Sequence, residues 1–157
     1  MIDTAITEQV ENCFEQAESQ LARTFVRPQV RCDLRGRAAG QARSDGVLRF
    51  NLHFYRQDPA RFLREVVPHE VAHWLVWQLY GHKVRPHGYQ WQALMRQLFA
   101  LPPKRTHDFS LRETTYLYRC RCQTHQLSVR RHNKVQRGTG QYCCRHCGAP
   151  LAFAGNA

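Results

Sequence analysis

Apolar residues repeat at spacings of three and four at the start of the chain. Ile6, Val10, Phe14, Ala17 and Leu21 share one face and acidic residues populate the other, so residues 4–24 are predicted as an amphipathic helix. Pro28 ends any continuation. The period then falls to two. Val30, Cys32 and Leu34 alternate with polar residues, as do Val47 and, after a polar step, Phe50 and Leu52. Gly36, Gly40 and Asp45-Gly46 read as turns, which predicts a small antiparallel sheet over 29–53. Asp58-Pro59 is a helix start, a capping carboxylate followed by proline at the first position. The helical pattern then runs through Phe62, Leu63, Val66 and Val67 to Pro68. A kink is expected there, because the apolar face continues in phase beyond the proline. Val71, Ala72, Trp74, Leu75, Val76, Trp77 and Leu79 make the following segment apolar nearly all round, the mark of a buried helix. Tyr89 to Ala100 repeats Trp91, Leu94, Met95 and Leu98 at helical spacing, and Leu101-Pro102-Pro103 ends it. Residues 102–115 read as a linker.

The buried helix carries His69-Glu70-Val71-Ala72-His73. Histidines four apart lie on one face of a helix, one turn from each other. Two such imidazoles can grip one Zn²⁺, and Glu70 can reach a water on that metal. A zinc-held water ionises near neutrality, so the pattern describes the equipment of a metallohydrolase. A buried carboxylate without a metal would have to be neutralised or paired.

A catalytic zinc takes three protein ligands and keeps one position open. The next carboxylates after Glu70 are Asp108 and Glu113, so no glutamate lies shortly downstream to act as the third. His82, His87 and His107 remain. His87 is preferred, because Arg85-Pro86-His87-Gly88 is a turn into a helix that can fold back on the first. His82, after the helix-ending Gly81, is the runner-up.

Charge changes the picture at the C-terminus. Up to residue 103 there are 13 basic and 10 acidic residues, for +3; from 104 onward there are 10 and 2, for +8. A basic appendage points to a polyanion such as nucleic acid. The same region holds Cys120, Cys122, Cys143, Cys144 and Cys147, whereas Cys13 and Cys32 stand alone and read as core residues. Cys122-Gln-Thr-His125 and Cys144-Arg-His-Cys147 are two knuckles that predict a structural zinc ribbon, with Cys120 as the alternative ligand in the first. So short a segment cannot build a sufficient apolar core alone. Arg130, Arg131 and Lys134, expected in a hairpin turn, and Arg137 are the candidate nucleic-acid contacts. Tyr116, Tyr118 and Tyr142 suit either base stacking or ribbon packing.

The stretch from Val66 to Phe109 resembles the SprT family, relatives of the Spartan protease. The matching residues are Val67-Pro68-His69-Glu70-Val71-Ala72-His73-Trp74, Leu79-Tyr80-Gly81, Pro86-His87-Gly88 with Trp91, and Arg105-Thr106-His107-Asp108-Phe109. The resemblance extends over nearly the whole chain, cysteine-rich tail included. It implies that His87 completes the zinc site and that the fold has a zincin-like core. Where the family has Pro-Glu after the glycine, this chain has Tyr89-Gln90.

The expected architecture is α+β: a zincin-like metalloprotease core of helices on a small antiparallel sheet (1–113), then a basic zinc ribbon (114–157). The expected function is a zinc endopeptidase, with Glu70 as base and His69, His73 and His87 as metal ligands. Its cofactors are one catalytic and one structural zinc. Its substrates are proteins associated with nucleic acid, DNA-protein crosslinks being what the resemblance implies. A zinc amidase for small substrates and a non-catalytic nucleic-acid-binding zinc protein are the alternatives. The N-terminus lacks a basic and apolar leader pattern and no apolar run suits a membrane helix, so a soluble cytoplasmic protein is expected; a monomer is the default expectation, on which no sequence feature bears.

Overall fold

A computed structural model of the chain describes residues 3–109 and 115–156. The chain divides into two compact units, Met1–Ser110 and Leu111–Ala157. The boundary expected at 113/114 lies outside the described residues.

The first unit opens with α1, Thr4–Leu21, capped by Asp3, whose side chain accepts from the Ala5 and Ile6 amides. It ends at Ala22, which turns into the left-handed region at φ 52°, slightly before the expected end at 24. Three strands follow: β1 Gln29–Arg31, β2 Gly40–Arg43 and β3 Val47–Phe50, in spatial order β1-β3-β2. β2 and β3 form an antiparallel hairpin across Asp45-Gly46, but β1 runs parallel to β3. The sheet is therefore mixed, not wholly antiparallel as expected. β2 takes one edge of β3 through the tight turn, and β1 fills the other edge in the same direction as β3.

Leu52 lies outside the sheet and begins helix α2, Leu52–Gln57. Phe50, Leu52 and Phe54 share a period of two, which disguised this helix as strand. Asn51 caps it. Its side chain accepts from the His53 amide and donates to the carbonyls of Gly36 and Ala38, all at 3.1 Å.

Asp58 starts the next helical run by accepting from the Arg61 amide at 3.1 Å. The run comprises α3, Pro59–Arg61, a π-helical turn, Phe62–Val66, and α4, Val67–Tyr80. Val66 and Val67 keep right-handed helical angles, so the helix passes through Pro68 without a break. Proline cannot donate and its ring crowds the carbonyl four residues back. The wider turn just before it, closed by the Val67 amide on the Phe62 carbonyl, is where the ladder adjusts. Helix α5, Tyr89–Phe99, completes the unit, and α4 packs on α1, α5 and β2. Phe14, Phe50, Phe54, Phe62, Leu75 and Trp91 fill the shared core. Cys13 is buried there, while Cys32, just past β1, is half-buried.

The second unit is a three-stranded antiparallel sheet of β4 Thr115–Arg119, β5 Thr124–Ser128 and β6 Ala152–Asn156, with β4 central. Residues 129–136 form a helix, α6, Val129–Gln136, in place of the expected strands and hairpin turn. Ser128 caps it by accepting from the Arg131 amide. His132 fixes it to the sheet, stacking on Tyr116 with ring centroids 3.7 Å apart and bonding the Tyr118 hydroxyl at 2.9 Å. Tyr118 is fully buried, and Arg131 lies over the Tyr142 ring. The three tyrosines thus pack within this unit. Among the described residues, no helix is long and apolar enough to cross a membrane.

Asn51→Ala would strip three hydrogen bonds from a buried junction. It is expected to destabilise the first unit by about 2 kcal/mol or more, measured by denaturant unfolding.

Candidate metal centres

Helix α4 brings His69 and His73 one turn apart on the face toward α5. The turn before α5 brings in His87, which adopts φ 58°, a left-handed conformation uncommon for a histidine. Gln92 donates to the His87 carbonyl at 3.1 Å and holds that peptide. The three Nε2 atoms converge, 3.3 Å apart for His69–His73 and 3.1 Å for each of the other two pairs. A tetrahedral zinc with its usual bond length to nitrogen separates its ligand atoms by about 3.3 Å. The donor set therefore fits that ion.

Burial, helped by the neighbouring imidazoles, pushes His69 down to about 4 and His73 to about 3. Both are neutral at pH 7, the form that binds metal. His69 also hydrogen-bonds through its ring to the Lys104 backbone carbonyl, an outer contact of the kind that fixes ring orientation. The other candidate histidines stand elsewhere. His82 packs on Trp77, with ring centroids 5.2 Å apart. His107 uses both ring nitrogens, donating to the Arg37 carbonyl at 2.8 Å and accepting from the Phe109 amide at 3.2 Å. Among the described residues, no fourth ligand joins the three-histidine set.

Glu70 lines the same cleft of about 690 Å³ as the three histidines. It is buried, and burial raises its carboxyl to about 8, opposed by a hydrogen bond from the Ala42 amide. Gly40 makes room for it: a Cβ there would fall 2.6 Å from the Glu70 Cγ and Oε1. Gly40 was expected as turn punctuation, yet it sits in β2 because the carboxylate occupies the space of a side chain. Glycine inside a strand is the only sequence signal of such an approach.

The second unit gathers Cys120, Cys122, Cys144 and Cys147, whose sulfurs all lie within 4.8 Å of one another. Cys120–Cys122 is 3.5 Å and Cys122–Cys144 is 3.7 Å, against about 3.8 Å for sulfurs around one tetrahedral zinc. This corrects the expected set, which held His125 and kept Cys120 as the alternative. The β4–β5 turn is so tight that the Cys120 amide reaches the Gln123 carbonyl, which brings both cysteines to its tip. His125 falls one step into β5, with Nε2 3.3 Å from the Cys120 sulfur. In the second knuckle the left-handed Gly148 closes the turn onto the Cys144 carbonyl. The backbone amide of Cys147 draws the Cys144 thiol down to about 5, while the hydrogen bond with Cys120 pushes Cys122 up to about 12. Crowded sulfurs sharing protons in this way are a donor set for a thiophilic cation. Cys143 stays exposed outside the set. Arg130, Arg131, Lys134 and Arg137 are all exposed on α6 and its C-terminal cap.

The SprT-like family matches residues 10–107, and the SprT-like zinc ribbon domain matches residues 114–155. A relative from Pseudomonas paraeruginosa is 46% identical over 93% of this chain and 92% of its own. One from Shewanella oneidensis is 44% identical over 95% and 97%, and one from Pseudomonas savastanoi 42% over 96% and 94%. Each is named Protein SprT. No solved structure matches the chain.

Zinc stoichiometry under chelator challenge separates the two ribbon ligand sets. Cys120→Ala is expected to lose the ribbon metal, and His125→Ala to retain it.

Proposed function

The chain belongs to the SprT-like family and carries that family's zinc ribbon, and on this premise we propose that it is a zinc-dependent endopeptidase acting on proteins held on nucleic acid. The observation that carries the reading is the convergence of three imidazoles beside a buried carboxyl in an open cleft. His69, His73 and His87 would hold the catalytic zinc. That ion supplies Lewis-acid chemistry, polarising a carbonyl and acidifying a water. With a dication held beside it the buried carboxyl would be drawn back to its ionised form, and Glu70 would then accept the proton of the attacking water and deliver it to the departing amine. Gly40 and the Ala42 amide keep its carboxyl in place against β2. Such a zincin-like arrangement does not by itself choose the acyl substrate.

The ribbon supports the choice of substrate. Its second zinc would be structural. α6 turns His132 toward the sheet and leaves Arg130, Arg131 and Lys134 exposed, Arg131 over the Tyr142 ring and the Lys134 stem along Gly140, a cationic strip suited to phosphates. Engagement of DNA by this strip would concentrate the peptidase on DNA-bound protein. That arrangement would also restrain a peptidase free in the cytoplasm.

Two measurements test the reading. Glu70→Gln should keep both zincs yet slow cleavage of a DNA-bound protein by about 10²–10⁴-fold. Unchanged cleavage would falsify the role of Glu70, and turnover of small amides alone would favour a small-substrate amidase. DNA affinity should fall with salt. Replacing Arg130, Arg131 and Lys134 by alanine should flatten the slope of log affinity against log salt by about 2–3. No binding at low salt, or an unchanged slope, removes the nucleic-acid role.

A further inference from the structure

One aromatic side chain touches every imidazole of the cluster. The Trp91 ring centroid lies 4.7 Å from those of His69 and His87 and 5.4 Å from that of His73. It meets His69 and His87 edge-on, at 64° and 88°, and lies nearly parallel to His73, at 22°. Its indole Nε1 donates to the His69 backbone carbonyl at 3.2 Å. The side chain is 1% exposed. Its position is therefore set by packing on all sides and by a directional bond to the helix that carries two of the three imidazoles.

The third imidazole depends on this contact. His87 sits on a left-handed turn, outside regular structure. Trp91 follows four residues later on the first turn of α5, anchored there by the Gln92 amide on the Gly88 carbonyl. One residue thus ties the turn that carries His87 to α4, which carries His69 and His73. An imidazole that swings about its last side-chain bond moves its Nε2 off the common centre, and metal–nitrogen bonds tolerate little misplacement. A flat wall against all three rings limits that swing before any metal arrives.

From this geometry we propose that Trp91 is the positioning residue of the three-histidine centre, preorganising its imidazoles for a divalent metal. The proposal rests on the reading that these imidazoles bind such a metal. Trp91 contributes no ligand atom. It acts through ring contacts and through its bond to the His69 carbonyl.

The experiment uses the full chain and Zn²⁺ or Co²⁺ alone as probes. Trp91→Leu removes the wall. Trp91→Phe keeps an aromatic ring and loses the N–H. Phe14→Leu alters an equally buried core site that touches none of the three histidines. Zinc affinity is read by chelator competition, and the Co²⁺ visible spectrum reports ligand geometry. The ribbon's thiolate–cobalt bands serve as the internal control. Trp91→Leu is expected to weaken the histidine centre by about 10- to 100-fold and to shift its cobalt bands. Trp91→Phe should recover part of both. Phe14→Leu should lower the melting temperature and leave affinity and bands unchanged. Wild-type affinity and bands in both Trp91 variants overturn the proposal, as does a loss in Phe14→Leu equal to that in Trp91→Leu. A wild-type chain that takes up only the ribbon metal overturns the underlying metal reading, and the proposal with it. If Trp91→Leu fails to fold, Trp91→Phe carries the test through its spectrum.

Discussion

Three imidazole Nε2 atoms lie 3.1–3.3 Å from one another, the spacing that ligands of a single cation adopt. The first unit is organised to hold them together. α4 supplies two at helical spacing, and the turn before α5 supplies the third at the expense of a left-handed histidine. Burial keeps the rings neutral, because charging them inside the core would cost solvation. The same burial leaves Glu70 with a carboxyl that favours its proton, and among the described residues no cationic side chain pairs with it. The first unit therefore concentrates its unfavourable electrostatics in one cleft. A divalent cation held by the three rings would offset that cost.

The second unit meets a related constraint by different means. Among its described residues Tyr118 is the one large side chain that is fully buried, and its sheet has three short strands. Four converging sulfurs stand where a core would be, and a bound zinc is worth on the order of 10–16 kcal/mol in modules of this kind. α6 is attached to this frame by His132 rather than by a broad apolar face, which leaves its arginines and lysine exposed. The ribbon is thus a scaffold that a bound metal would stabilise and whose surface is free to be basic.

Much of this was legible along the chain. The H-E-x-x-H spacing needs only helical periodicity to bring His69, Glu70 and His73 to one place, and apolar residues on every side of that helix announce its burial. The cap at Asp58 and the turn at Asp45-Gly46 are equally local, and both are found as expected. The fold departs from the local pattern where that pattern is compatible with both helix and strand. Phe50, Leu52 and Phe54 alternate like a strand but cross from β3 into α2. Residues 129–136 look like ribbon strands because Val129 and Val135 are β-formers, yet the Ser128 cap and the inward spacing of His132 and Val135 made a helix.

Donor types, their helical spacing, the basic tail and the two-part division follow from residue identity and near-neighbour geometry, so they are readable along the chain. Which distant groups meet is set by packing. His87, rather than His82 or His107, reaches the other two rings because α5 folds back on α4. Cys120, rather than His125, joins the sulfur cluster because a tight β-turn sets its direction. Trp91 beside the imidazoles reads along the chain only as an apolar helix position, and Gly40 against Glu70 only as a glycine near a strand. Such contacts depend on how separate elements pack, and packing follows from the whole chain's burial, which no short stretch of residues encodes.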